Sequence, residues 1–238
     1  MSPTMRRADP RYRLLVFDWD GTLMDSVGTI VACAQATICG LGLPLPGEGV
    51  IRSTVGLGLR ETIERLQPGC DDALYERIVA AYRTHWHGTY RDLPLLFPEV
   101  RELLDGLAAA GHLLAVATGK SRRGLEHALE QSGLADRFHS TRTADEAPSK
   151  PHPQMLWDLL EELGARQDET LMVGDTTHDL QMARSAGVAA VGVASGTQPR
   201  AELERLSPLA CLERVGELAA WLGAGGRADK PADAFAAT

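Results

Sequence analysis

Four short apolar runs constrain the fold more than any other feature of this sequence. Stretches with helical spacing separate them, and the runs are RLLVF (13–17), LLAVAT (113–118), TLMVG (170–174) and VAAVGVA (188–194). In three of them the apolar residues are consecutive rather than alternating, as expected for strands that helices cover on both faces. This order of elements is typical of βαβ units around a parallel sheet, so we predict an α/β fold.

The interval between the first and second runs is too long for a simple crossover. It exceeds ninety residues, whereas a crossover needs about a dozen residues beyond its helix. Within it, TIVACAQATICGLG, LRETIERL and DALYERIVAAYRTHWH have helical spacing. We therefore predict an all-helical cap domain, residues 26–92, inserted into a catalytic core of residues 11–25 and 93–222. Residues 223–238 are rich in Gly, Ala and charge, which predicts a disordered tail.

Composition limits the classes of partner. A chain of 238 residues with 44% hydrophobic content can form a core and a small inserted domain. The net charge of −8 at pH 7 disfavours nucleic acid or an anionic membrane as partner, but it allows a small anionic substrate. No apolar run is long enough for a membrane span or an export signal. Four cysteines without a CxxC pair predict free thiols, so we expect a cytoplasmic protein.

Polar side chains stand where three of the predicted strands end. Asp18 follows the first strand, Thr118 ends the second and Asp175 follows the third. The carboxyl ends of parallel strands form one edge of a sheet, and ligands bind there. Two carboxylates about 4 Å apart repel by roughly 4 kcal/mol at an effective dielectric constant near 20, so these acids, with Asp20 and Asp179, need a cation. Oxygen ligands alone favour Mg²⁺, which also takes water and substrate phosphate as ligands.

These residue types suit phosphoryl transfer. With charge neutralised, an ionised Asp18 could attack phosphorus, and an aspartyl-phosphate would divide hydrolysis into two easier displacements. Asp20 could protonate the leaving oxygen and then deprotonate the attacking water. Gly21 and Thr22 allow a tight turn that exposes backbone N–H groups to an anion. Lys150 would supply a fixed positive charge for the phosphoryl oxygens.

Four ordered motifs together resemble those of the haloacid dehalogenase-like superfamily. They are DWDGTL (18–23), ATGKS (117–121), SKPHP (149–153) and GDTTHD (174–179), and the resemblance covers about residues 13–196. It implies a Rossmann-like parallel-sheet core, a mobile helical cap inserted after the first motif, Mg²⁺ and an aspartate nucleophile. A dehalogenase would need neither Asp20 nor a metal cluster, because a halide leaves without a proton, so the residues favour a phosphatase.

The resemblance also implies a role for each acid. Asp18 would be the nucleophile and a metal ligand. Asp20 would be the general acid and base, and its backbone carbonyl would bind the metal. Asp175 would be the third protein ligand, and Asp179 would hold the metal directly or through water.

The remaining assignments concern phosphate and substrate. By the same resemblance, Thr118 and Gly119 would bind phosphate, and Lys150 would bridge phosphate and nucleophile. FDWDGTLMDS, ATGKSRRGL and SKPHPQML look most like the phosphoglycolate phosphatase-like branch, which implies a small phosphomonoester such as 2-phosphoglycolate as substrate. Arg60, beside a glycine-containing loop, is a candidate partner for a substrate carboxylate, and an ordinary surface arginine is the alternative.

Other functions stay open from the sequence. A phosphatase or pyrophosphatase with another small substrate would use the same groups. A β-phosphoglucomutase-like phosphomutase would share the nucleophile but return the phosphoryl group to its retained product. A non-enzymatic binding module is the remaining alternative, and the intact set of Asp18, Asp20, Lys150 and Asp175 disfavours it.

Overall fold

A six-stranded parallel sheet forms the centre of the fold. The computed structural model describes residues 11–90 and 95–226. The strands are β1 (Leu14–Phe17), β2 (Leu113–Ala117), β3 (Ser140–Arg142), β4 (Thr170–Gly174), β5 (Ala189–Val193) and β6 (Ala210–Leu212). Their order is β3-β2-β1-β4-β5-β6, and every neighbouring pair is parallel. The predicted α/β fold with a Rossmann-like sheet is therefore confirmed, and all four predicted strands form.

Helices flank the sheet and fill the first crossover. They are α1 (Val27–Gly40), α2 (Glu48–Arg52), α3 (Leu59–Leu66), α4 (Asp72–His85), α5 (Val100–Ala109), α6 (Arg122–Ser132), α7 (Gln154–Leu163), α8 (Thr177–Ala186), α9 (Arg200–Glu204) and α10 (Leu218–Gly223). Helices α1 to α4 and a π-helical turn, Trp86–Tyr90, all lie between β1 and β2, which confirms an inserted helical cap. Its predicted limits, 26–92, stay a prediction, since residues 91–94 lie outside the described part.

Burial on both faces explains why the strand sequences lack alternation. In β1, Leu15 and Phe17 pack into one hydrophobic cluster with residues of α5, α6 and α10. Leu14 and Val16 point to the other face and pack with residues of α7 and α8. All four are fully buried, and burial of such a side chain contributes about 1.5–3 kcal/mol relative to exposure. A central strand must therefore be apolar at every position.

The predicted tail, 223–238, begins at the end of α10. Gly223 is the last residue of that helix, and the Tyr12 hydroxyl donates a hydrogen bond to the carbonyl of Gly226 over 3.4 Å. The remainder of the predicted tail, 227–238, lies outside the described residues. Across residues 11–90 and 95–226, each helix is too short or too polar to cross a bilayer. None of the four cysteines forms a disulfide within the described residues.

Candidate active site

Three buried carboxylates meet at the carboxyl edge of the sheet. Phe17 pairs with Val173 in register, so Asp18 and Asp175 leave neighbouring strands at nearly the same level. The Asp18 amide donates to the Val173 carbonyl over 2.9 Å, which extends the pairing by one residue. Asp179 joins them from the first turn of α8. One carboxylate oxygen of each acid lies within 4.8 Å of the others.

A buried lysine links two of these acids. Lys150 precedes α7, and its Nζ donates to Asp18 Oδ1 over 2.5 Å and to Asp179 Oδ1 over 2.6 Å. Its side chain is fully enclosed. Burial by itself would lower the pKa of Lys150, but the two carboxylates outweigh it and raise that pKa. The site therefore contains a permanent ammonium group at a fixed position.

The cluster has the chemistry of a cation site. It holds three carboxylates, Asp18, Asp175 and Asp179, against the single ammonium of Lys150. Burial raises the pKa of Asp18 well above its usual value and that of Asp175 to about 6, and the nearby Asp179 carboxylate raises both further. Asp18 Oδ2 is buried and accepts no hydrogen bond from the described residues. Since an unpaired buried acceptor costs about 1–3 kcal/mol, these residues fit a hard divalent cation bound at that oxygen.

Hydrogen bonds orient Asp175 within the cluster. Thr22 Oγ1 donates to its Oδ1 over 2.9 Å, and the Thr197 amide donates to its Oδ2 over 2.6 Å. Gly21 adopts φ +85° and passes so close to this carboxylate that a Cβ would overlap it. Asp175 therefore has little freedom to rotate.

Asp20 lies apart from the other acids. Its side chain is not part of the metal-competent cluster. Instead, Asp20 Oδ1 accepts a 2.6 Å hydrogen bond from Ser26 Oγ and lies 3.0 Å from Lys120 Nζ. The geometry thus separates the two acids of the DWD motif, since Asp18 belongs to the charge cluster and Asp20 faces the cap side.

The predicted phosphate-binding pair lies at the end of β2. Thr118 is buried, and its Oγ1 accepts a 3.2 Å hydrogen bond from the Lys120 amide. Gly119 has a second role that its motif does not reveal, because the carbonyls of Gly56 and Leu57 lie against its Cα. A side chain at position 119 would collide with the cap loop.

The cap covers this edge of the sheet. The Gly58 amide donates to Ser149 Oγ over 2.7 Å, and His178 Nε2 lies 3.4 Å from the Ser53 carbonyl oxygen. Cap loop 53–58 therefore sits on the loops that carry the acids. Next to it, a cavity of about 680 Å³ opens between cap and core.

Comparison with known proteins places this arrangement in a family. Residues 15–193 match the family model described as haloacid dehalogenase-like hydrolase. The chain belongs to the haloacid dehalogenase-like hydrolase family. The matched range runs from β1 to the end of β5 and includes the buried acids and Lys150.

Relatives in the haloacid dehalogenase-like family carry phosphatase names. A Dickeya dadantii protein named "Probable phosphatase IndB" is 38% identical over 213 residues, which cover 86% of this chain and 91% of that protein. A phosphoglycolate phosphatase of Pseudomonas putida is 32% identical over 203 residues, 82% of this chain and 74% of that protein. The crystal structure of a hydrolase from Pseudomonas syringae has a TM-score of 0.81 at 26% identity, covering 90% of this chain and 98% of that one. The chain is thus a phosphatase of this family.

The structure places Arg60 in the cap, with partners of its own. It lines the cavity, but its side chain is 55% exposed and lies 3.7 Å from Asp72 and 3.8 Å from Glu64. Its guanidinium also lies 4.2 Å from the centre of the Tyr75 ring. These contacts occupy Arg60 within the cap.

Several site residues were missed by the sequence analysis. The backbone amide of Thr197, four residues beyond β5, donates to Asp175, and a backbone donor carries no residue-type signal. Lys120 lies in the ATGKS motif and Ser26 lies six residues after Asp20, but no spacing rule indicates that both contact Asp20.

Proposed function

We propose that this chain is a Mg²⁺-dependent phosphatase that hydrolyses a small phosphomonoester through an aspartyl-phosphate on Asp18, with 2-phosphoglycolate as the first candidate substrate. One observation carries the proposal: Oδ1 of the buried Asp18 accepts a hydrogen bond from Lys150, and Oδ2 has no partner within residues 11–90 and 95–226. Asp18, Asp175, Asp179 and the backbone carbonyl of Asp20 would hold the metal. A bound Mg²⁺ would neutralise the acids and polarise the phosphoryl oxygens.

The two oxygens of Asp18 have different tasks in this mechanism. Because Oδ2 accepts no hydrogen bond from the described residues, we assign it to the metal and Oδ1 to the attack on phosphorus. Lys150 adjoins Oδ1 and would stabilise the charge that spreads over the phosphoryl oxygens. Thr118 and the backbone N–H of Gly119 would hold those oxygens in line with Asp18.

Asp20 would move the protons. As the Asp18–phosphorus bond forms and the ester bond breaks, Asp20 donates its proton to the leaving oxygen. Water then attacks phosphorus, transfers its proton to Asp20 and releases phosphate, which restores the Asp18 carboxylate. Asp20 is suited to both steps because it lines the cavity and lies outside the charge cluster.

The substrate is proposed from the relatives and the cavity. Curated relatives named phosphoglycolate phosphatase, including that of P. putida, support 2-phosphoglycolate. A cavity of about 680 Å³ is also large enough for a bulkier ligand. Asp20 and Gly119 line this cavity and Asp18 does not. The volume therefore admits a second candidate, a phosphomonoester larger than 2-phosphoglycolate, without selecting it. Arg60 stays the candidate partner of a substrate carboxylate from the cap side.

Phosphate release from a substrate panel tests the proposal. The panel comprises 2-phosphoglycolate, sugar phosphates, nucleotides and pyrophosphate, each with and without Mg²⁺. Asp18→Asn should abolish turnover while the protein stays folded, and Asp168→Asn, the same change at an exposed acid, should leave the rate unchanged. Near wild-type turnover by Asp18→Asn would eliminate the covalent mechanism.

The same panel decides the substrate class. A Mg²⁺-dependent preference for 2-phosphoglycolate, with a higher KM in Arg60→Ala only for carboxylate-bearing esters, supports the first candidate. A preference for a larger ester supports the second candidate and removes 2-phosphoglycolate.

A further inference from the structure

The two carboxylate oxygens of Asp20 have different surroundings. Both Ser26 Oγ, at 2.6 Å, and Lys120 Nζ, at 3.0 Å, contact Oδ1. Within residues 11–90 and 95–226, Oδ2 accepts no hydrogen bond, although Asp20 lines the cavity. The Asp20 and Lys120 side chains are only 10% and 16% exposed, so this ion pair is screened less than a surface pair.

Lys120 is itself held from both sides of the cavity. On the core side, its backbone amide donates to Thr118 Oγ1 over 3.2 Å. On the cap side, its Nζ lies 5.4 Å from the centre of the Trp86 ring, within range of a cation–π contact. Trp86 is in turn placed by Tyr82 and Tyr90, whose ring centres lie 6.2 and 6.1 Å away. The ammonium is therefore confined between the acid and an aromatic wall.

We propose that Lys120 is a positioning residue for proton transfer by Asp20, an inference that rests on the proposed function. Because Ser26 Oγ donates to Oδ1 and the Lys120 ammonium forms an ion pair with the same oxygen, Oδ1 keeps the negative charge and the exchangeable proton resides on Oδ2. The proton passes from Oδ2 to the leaving oxygen as the ester bond to phosphorus breaks. In the second step, the attacking water returns a proton to Oδ2 while the bond from Asp18 to phosphorus breaks.

Leaving-group dependence tests this role. p-Nitrophenolate leaves without a proton, whereas the alkoxides of 2-phosphoglycolate and glycerol 3-phosphate need one. In Lys120→Met, the first turnover of both alkyl esters, measured by rapid quench, should slow by about 10- to 100-fold at little change in KM. The burst of p-nitrophenolate from p-nitrophenyl phosphate should stay within about threefold of wild type.

Two further variants test whether the alkyl-ester rate depends on a positive charge at position 120 in particular. Lys120→Arg keeps a cation and should recover a large part of the alkyl-ester rate. Arg123→Met removes a neighbouring cation that lines the same cavity, and it should leave the ratio between alkyl and p-nitrophenyl esters unchanged. Thermal unfolding of each variant verifies that it is folded.

Three results would overturn the inference. The first is an equal first-turnover loss on alkyl and p-nitrophenyl esters. The second is a loss confined to KM for 2-phosphoglycolate, which would mean that Lys120 binds the substrate carboxylate. The third is an alkyl-ester rate that Lys120→Met leaves unchanged. Asp20→Asn separates this inference from the proposed function. If Asp20→Asn retains the alkyl-ester rate, the proposed mechanism fails, whereas if only Lys120→Met retains it, the positioning role alone fails.

Discussion

Replacement of Gly119 by alanine tests whether turnover needs the close contact between cap loop 53–58 and Gly119. A Cβ at this position would lie 2.5 Å from the Gly56 carbonyl oxygen and closer still to that of Leu57. Both obstacles are backbone atoms, which do not rotate away as the end of a side chain can. Gly119 lies outside the left-handed region of φ, so alanine strains the contact with the cap and not the local backbone.

The expected magnitude follows from this overlap. To reach an acceptable separation of 3.0 to 3.4 Å, the Gly56 carbonyl must retreat by 0.5 to 0.9 Å. Overpacking of this kind costs about 1–3 kcal/mol. If the cost falls on the contact between cap loop 53–58 and the core, the equilibrium constant for forming that contact falls by about 5- to 150-fold. Alanine retains the backbone N–H that would face phosphate, so loss of that donor does not contribute.

The assay compares catalysis with stability. In Gly119→Ala, kcat/KM should fall by at most that factor, while the unfolding midpoint changes little because the cap can lift to relieve the overlap. Gly106→Ala is the matched control, since a Cβ there meets nothing within 4 Å and the site lies in α5. It should leave kcat/KM unchanged and stabilise the fold by about 0.5–1 kcal/mol. Wild-type kcat/KM in Gly119→Ala would refute a requirement for this contact between cap loop and core.

Three further predictions concern charge, metal and thiol reactivity. Lys150→Met removes the ammonium from a buried anionic cluster, so the free energy of unfolding in urea should fall by about 3–5 kcal/mol, and a wild-type value would contradict this charge balance. Mg²⁺ at about 100 times its Kd should add about 2.7 kcal/mol to wild-type stability, an increment that Asp175→Asn should lose if that acid is a ligand. Burial raises the pKa of Cys33 to about 12, so iodoacetamide at pH 8 should modify exposed Cys39 first, as peptide mass spectrometry can verify.

Most of the sheet was predictable because its strands carry their own signal. The central strand β1 is buried on both faces, so its sequence must be apolar throughout, and this pattern is visible without coordinates. β3 and β6 were missed because each has three residues, and the sequence of β3, STR, is polar. Such short edge strands form because a neighbour offers hydrogen-bonding partners, which is a property of the sheet and not of the segment.

The candidate site, like the sheet, was predictable only in part. The acids were predictable because parallel strands end at one edge, so Asp18 and Asp175 had to meet wherever β1 and β4 became neighbours. The links from Lys150 to Asp179 and from Lys120 to Asp20 were not predictable, because a flexible side chain can reach several partners and the loop path selects one.

The sequence by itself determined the α/β class, the inserted helical cap and the meeting of Asp18 with Asp175, because each follows from local periodicity or from a strand end. The tertiary structure alone decided which oxygen of Asp18 lacks a partner among the described residues, why position 119 excludes a side chain, and which cation contacts Asp20. These features depend on distances between segments far apart in the chain. Such distances follow from the packing of the cap against the sheet, which no local pattern of residues encodes.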